Sequence, residues 1–153
     1  MQMQNYDQEL EGKPRTLKSL HKLFIGPAGT GKTTVAEIYG LALKEFGFLS
    51  SGHFQRVSCV DIMEGAVGAS GPKAAAALDR AKGGVLLIDE AYMLDPKRGV
   101  VGEGGAANYG KEVIDTITSR LDAEVGRDIC VILAGYEDEM KSLFLNWILR
   151  SAF

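Results

Sequence analysis

Eight residues, Gly26-Pro-Ala-Gly-Thr-Gly-Lys32-Thr33, satisfy G-x-x-x-x-G-K-[ST] at every fixed position, and the chemistry that spacing serves is phosphate binding. Glycines at Gly26, Gly29 and Gly31 let the backbone curl so that successive N–H groups point inward at a β-phosphate, reinforced by the positive end of a following helix. Lys32 then acts as a point charge between β- and γ-phosphates, a catalytic as well as a binding role, and the Thr33 hydroxyl is a candidate Mg²⁺ ligand. Pro27, Ala28, Thr30 and Thr34 complete the candidate nucleotide-binding set, with ATP or ADP as the ligand. The bland alternative is a glycine-rich strand-to-helix turn. With glycine near 7% of residues, chance supplies the pattern in roughly one chain of this length in a hundred, before its context is counted.

A second segment, "GGVLLIDEAY" from Gly83 to Tyr92, delivers two carboxylates at the carboxyl end of an apolar run, where ligands lie in an open α/β sheet. Asp89 is the candidate for the Mg²⁺ shell. Glu90, on the other side of the pleat, is the candidate base that accepts a proton from an attacking water. Two acids after a strand serve equally well as helix caps; beside a phosphate loop the catalytic role is favoured.

Elements of an α/β domain must position these groups. Short apolar runs alternate with segments of helical period, which predicts a largely parallel sheet. The strands expected are Lys22–Ile25, Phe54–Val60, Val85–Asp89 and Ile129–Ala134. Val35, Ile38, Tyr39, Ala42, Leu43 and Phe46 predict a helix over Thr33–Phe48 with one apolar face. A second helix is expected to follow Pro72, whose fixed φ suits a first helical position, and a third carries Val113, Ile114, Ile117 and Leu121. Met140, Leu143, Phe144, Trp147 and Ile148 predict a continuous last helix from about Glu137 to Arg150. "RGVVGEGGAANYG", Arg98 to Gly110, holds five glycines and no sustained period, so it is expected to be a surface loop. Cys59 and Cys130 sit inside apolar runs and are expected to be buried strand residues, not a metal pair or a disulfide. His21 and His53 have no partner ligand at a telling spacing and are expected to be structural.

The chain has 153 residues, 46% of them hydrophobic and 24% charged, enough to bury a core in one domain. A polar, helical lead-in is expected over residues 1–20 and the nucleotide-binding core over 21–153. The net charge of -3 argues against a surface built for nucleic acid or anionic lipid. No apolar run approaches a membrane span and the start has no signal-peptide core, so a cytoplasmic protein is expected.

The stretches "LHKLFIGPAGTGKTTVAEIYG", "DIMEGAVGASGPK", "GGVLLIDEAYML", "NYGKEVIDTI" and "VILAGYEDEM" resemble the CbbX/CfxQ branch of the AAA+ ATPases, which includes red-type Rubisco activases and the SpoVK and EccA proteins. The resemblance spans roughly His21 to Phe153. It implies a three-layer P-loop NTPase fold and a hexameric ring whose ATP cycle remodels a client protein. It also implies a γ-phosphate sensor at the end of the fourth strand, where Gly135 and Tyr136 stand; Tyr136 is the candidate. Three departures accompany the likeness. "EGAVGAS" has Ala66 where the family commonly places a pore-loop aromatic. "NWILRSAF" has Ala152 where an arginine finger is expected, leaving Arg150 as the candidate arginine acting in trans. The chain stops at Phe153, before the family's fifth strand and helical lid, which predicts that the phosphate-loop strand forms a sheet edge unless another segment covers it.

Together these observations favour ATP binding and Mg²⁺-dependent hydrolysis by an AAA+ core that in complete form remodels a client protein of unknown identity. The chain alone is expected to be a monomer or small oligomer with weak turnover. The alternative is a nucleotide-binding structural module that does not hydrolyse. A nucleic-acid motor sharing the phosphate loop is disfavoured by the acidic balance and would betray itself by salt-sensitive DNA or RNA affinity.

Overall fold

The computed structural model describes residues 20–63, 68–95, 106–122 and 128–146, with 106–108 and 144–146 described as backbone only. Four strands, β1 (Lys22–Ile25), β2 (Phe54–Ser58), β3 (Val85–Asp89) and β4 (Cys130–Gly135), form a parallel sheet in the order β1-β4-β3-β2. The helices are α1 (Lys32–Glu45), α2 (Cys59–Met63), α3 (Ser70–Ala81), α4 (Ala106–Asp122) and α5 (Glu137–Asn146), with a 3₁₀ turn at Ala91–Leu94. This is the α/β architecture with a parallel sheet expected from the alternation of runs, and the P-loop core that the resemblance implies. Leu86, Leu87 and Ile88 are consecutive, and none is more than 1% exposed; such a run belongs to a parallel strand covered on both faces. On one face Val85, Leu87, Cys130, Ile132 and Ala134 pack with Ala36 and Leu43 of α1. On the other, Leu86, Ile88, Val131 and Leu133 pack with α3, α4 and Met140 and Leu143 of α5. Among the described residues β1 is an edge strand, as expected.

Several boundaries differ from expectation. The second strand ends at Ser58, and Cys59 opens a short helix; the β-branched pattern through Val60 does not register that the chain turns there. The third element begins at Ser70, so Pro72 occupies the third helical position, where its missing N–H is still one of the four without an intrahelical partner. The first helix runs from Lys32 to Glu45, because Gly47 at φ +75 breaks the coil before Phe48. Its apolar face also differs. Ala36, Gly40 and Leu43 are buried, whereas Val35, Ile38 and Phe46 are 52%, 60% and 72% exposed. Small residues decide the contact: a Cβ on Gly40 would come within 2.7 Å of Val85 Cγ2, so the helix rests on its least bulky side. The expected loop through Gly110 already enters α4 at Ala106, while 98–105 lie outside the described residues. Also outside are the lead-in except Leu20, Ala66, and the segment from Trp147 through Arg150 to Phe153.

Both thiols are buried and free, and burial pushes each up to about 12. His21 Nδ1 accepts a hydrogen bond from the Val131 N–H at 3.0 Å; burial, then the charge of Lys22, lowers its pKa to about 4. His53 bridges Ser51 and the Arg80 carbonyl, fastening the approach to β2 onto α3.

Candidate nucleotide-binding site

The phosphate loop leaves β1 and ends where α1 begins. Gly29 and Gly31 have φ of +74 and +82, and a Cβ at either would meet nothing within 4 Å, so glycine is needed there for the left-handed backbone and not for space. The loop is braced by Thr30 Oγ1 donating to the Pro27 carbonyl at 2.8 Å. Gly31 caps α1, and the first turn of that helix carries no acidic residue, so its positive end is not opposed locally. Lys32 Nζ donates to the carbonyls of Gly26 at 2.8 Å and Pro27 at 2.7 Å, and lies 5.8 Å from the Tyr136 ring centroid.

Facing the loop across a cleft of about 600 Å³ are the ends of β2, β3 and β4. Asp89 is the last residue of β3. Its Oδ1 accepts the Glu90 N–H at 3.0 Å and its Oδ2 accepts Arg56 Nη2 at 2.6 Å. Glu90 is not in the pleat, contrary to expectation: it has left the strand in the left-handed region, φ 56 and ψ 36, which is why it reaches the same cleft as Asp89 and does not point to the opposite face. Glu90 is the one non-glycine at positive φ among the described residues. Such a conformation costs roughly 1–2 kcal/mol and clusters at functional sites. Glu90 is pinned on both sides, by the Asp89 bond and by the Met93 N–H donating to its carbonyl at 3.0 Å. The Tyr92 hydroxyl donates to Glu90 Oε1 at 3.4 Å, and desolvation followed by the Glu90 charge raises that phenol above its ordinary value. Tyr92 and Tyr136 approach with ring centroids 5.8 Å apart.

Ala28, Gly29, Thr30, Gly31, Lys32, Thr33, Asp89, Glu90 and Tyr136 thus line one cleft. Gly26 and Pro27 contribute through their carbonyls. Thr34 is exposed in the first turn of α1 and is not on the cleft wall; Arg150 lies outside the described residues. Arg56, Ser58 and Tyr92 also line the cleft, which no motif in the sequence indicates. The strand register brings the first two there: in β2, parallel to β3, Arg56 pairs with Leu87 and Ser58 with Asp89, and a period of two puts all four on one face.

Among the described residues no three His, Cys, Asp or Glu side chains converge. Mg²⁺ commonly takes one or two protein oxygens and completes its shell with water and substrate phosphates. Thr33 and Asp89 offer a hydroxyl and a carboxylate to one cleft, and Asp89 Oδ2 already attracts a cation, so the donor set fits the ion.

The family model for the ATPase family associated with various cellular activities matches residues 22–150. The chain belongs to this AAA family. It is 38% identical over 133 residues to the chloroplastic CbbX homolog of Guillardia theta, covering 87% of the chain and 34% of that protein. Its identity to the chloroplastic ribulose bisphosphate carboxylase/oxygenase activase of Cyanidioschyzon merolae is 40% over 133 residues, 87% of the chain and 41% of the relative. With stage V sporulation protein K of Bacillus subtilis it shares 37% over 137 residues, 89% and 40% respectively. The AAA chain therefore spans well under half the length of these relatives. Membership of the family implies nucleotide binding and supports ATPase-type activity in general. No helix among the described residues is long and apolar enough to cross a membrane.

Proposed function

We propose that the cleft binds ATP with Mg²⁺ and hydrolyses it to ADP and phosphate, as the core of an AAA+ protein that in complete form remodels a client protein within a ring of copies. The observation that carries this reading is the meeting of Lys32, Thr33, Asp89 and a pinned Glu90 around one cleft. The loop N–H groups and the end of α1 bind the β-phosphate. Lys32 exchanges its two carbonyl partners for β- and γ-phosphate oxygens. Thr33 and Asp89 hold the metal, which when bound neutralises charge on the phosphate oxygens. Glu90 accepts a proton from a water as that water's oxygen bonds to the γ-phosphorus and the bond to ADP breaks. Tyr136, beside Lys32 at the end of β4, is the group that would sense the γ-phosphate, and Arg150 the arginine offered to a neighbouring copy. The names of the relatives, a CbbX homolog and a carboxylase activase, support the client-remodelling part.

Calorimetric titration with ATP and ADP, with and without Mg²⁺, tests the proposal. Wild type binds both and Lys32→Ala loses most of the affinity. Equal affinity in the two overturns the assignment. Glu90→Gln binds ATP but loses multiple-turnover hydrolysis; unchanged hydrolysis moves the base elsewhere. Binding by wild type with no turnover, even at high protein concentration, favours the non-hydrolysing module instead.

A further inference from the structure

One charged group in the cleft has no part in the proposed hydrolysis. Arg56 stands on β2, in register with Leu87 and one strand away from Asp89. Its Nη2 reaches Asp89 Oδ2 at 2.6 Å. The other oxygen of Asp89 is taken by the Glu90 N–H, so both carboxylate oxygens have hydrogen-bond partners. The pair is unequal in burial: the Asp89 side chain is 22% exposed and that of Arg56 57%. The carboxylate is therefore fixed, and the guanidinium is the member free to swing into solvent.

A guanidinium only donates and never coordinates. A divalent cation drawn to Oδ2 meets a positive charge already seated there. We propose that Arg56 is a positioning residue that competes with divalent metal for Asp89 and so sets the Mg²⁺ concentration at which the cleft retains nucleotide. Arg56 holds the carboxylate aimed into the cleft and yields it when metal arrives with the phosphates, making metal entry an exchange of one cation for another. The inference rests on the reading of the cleft as a nucleotide site.

The test is retention of ATP at fixed nucleotide concentration while Mg²⁺ is titrated from an EDTA-treated start, for wild type, Arg56→Gln and Arg56→Lys. Arg56 is largely exposed, on a strand that is an edge among the described residues, so neither substitution removes core packing. Arg56→Gln lowers the Mg²⁺ midpoint roughly two- to fivefold, the range of a partly exposed ion pair. Arg56→Lys, which keeps the competing charge, stays closer to wild type than Arg56→Gln does. A midpoint in Arg56→Gln equal to or above that of a nucleotide-binding wild type overturns the competition and leaves the nucleotide site standing. A wild type that retains no nucleotide at any Mg²⁺ concentration overturns both.

Discussion

Gly110 offers a test in which propensity and packing predict opposite signs. It lies in α4, where replacing glycine by alanine ordinarily stabilises a helix by about 1 kcal/mol. Here the added Cβ would press on the Leu94 carbonyl oxygen and sit 2.9 Å from its carbon and 3.1 Å from Leu94 Cα. These are backbone atoms of the 3₁₀ turn, which cannot rotate aside as a side chain does. Overpacking of a well-filled interior costs about 1–3 kcal/mol, and the rigid obstacle argues for the upper half of that range. After the propensity gain, Gly110→Ala is expected to lose about 1–2 kcal/mol, a fall in Tm of roughly 2–8 °C for a domain of this size. Urea unfolding followed by circular dichroism measures it. The clash bears on the turn that starts at Glu90, so nucleotide turnover should fall more than nucleotide affinity does. A variant as stable as wild type, or more so, refutes the argument.

The other expectations concern buried titratable groups. His21 has a pKa of about 4 in the fold against 6.5 when exposed; the unfolded chain binds more protons between those values, so stability is full above about pH 6.5 and falls as pH drops toward 4. The loss from this group reaches about 2 kcal/mol by pH 5, and His21→Gln should flatten that part of a urea-midpoint profile; an unaltered slope refutes it. Cys59 and Cys130, held up at about 12, should resist maleimide at pH 8 in the native chain and react once unfolded. A thiol that labels at the rate of a free cysteine in the folded protein overturns its burial.

The positions of strands and acids were legible because they rest on local rules. Val85–Asp89 reads as an apolar run bounded by Gly83-Gly84 and two acids, and the phosphate loop has a fixed spacing. What was not legible depends on contacts made at a distance. Hydrophobicity assigns the core face of α1 to Val35, Ile38 and Phe46, but close approach to the sheet selects Ala36 and Gly40. Gly110 reads as loop because glycine is a poor helix former, yet it is the residue that admits the Leu94 carbonyl. Glu90 reads as the next residue of a pleat, whereas hydrogen bonds from its own N–H and to its own carbonyl hold it at φ 56. Arg56 carries no motif; only the parallel register of β2 on β3 brings it to Asp89.

The charged groups of the cleft are joined to partners within the protein itself. Lys32 is seated on two loop carbonyls, Asp89 is shared between Arg56 and the Glu90 N–H, and Glu90 receives the Tyr92 hydroxyl. Hydrogen bonds to charged groups are worth about 1.5–3 kcal/mol each, so a phosphate oxygen that takes Lys32 from Gly26 and Pro27 gains only the difference between the new bonds and the old. The loop carbonyls left behind must turn to water or to another donor. The same holds for a metal at Asp89, and the exchanges are linked through neighbouring residues: Asp89 and Glu90 share a hydrogen bond, and Lys32 faces the Tyr136 ring that packs near Tyr92. Moving the lysine toward a phosphate therefore changes the surroundings of Tyr136, and moving Arg56 off Asp89 removes one of the two bonds that fix the carboxylate preceding Glu90. If the cleft takes nucleotide and metal as proposed, wiring of this kind couples their arrival at Lys32 and Asp89 to the placement of Glu90, by displacement of partners that stand in the protein itself.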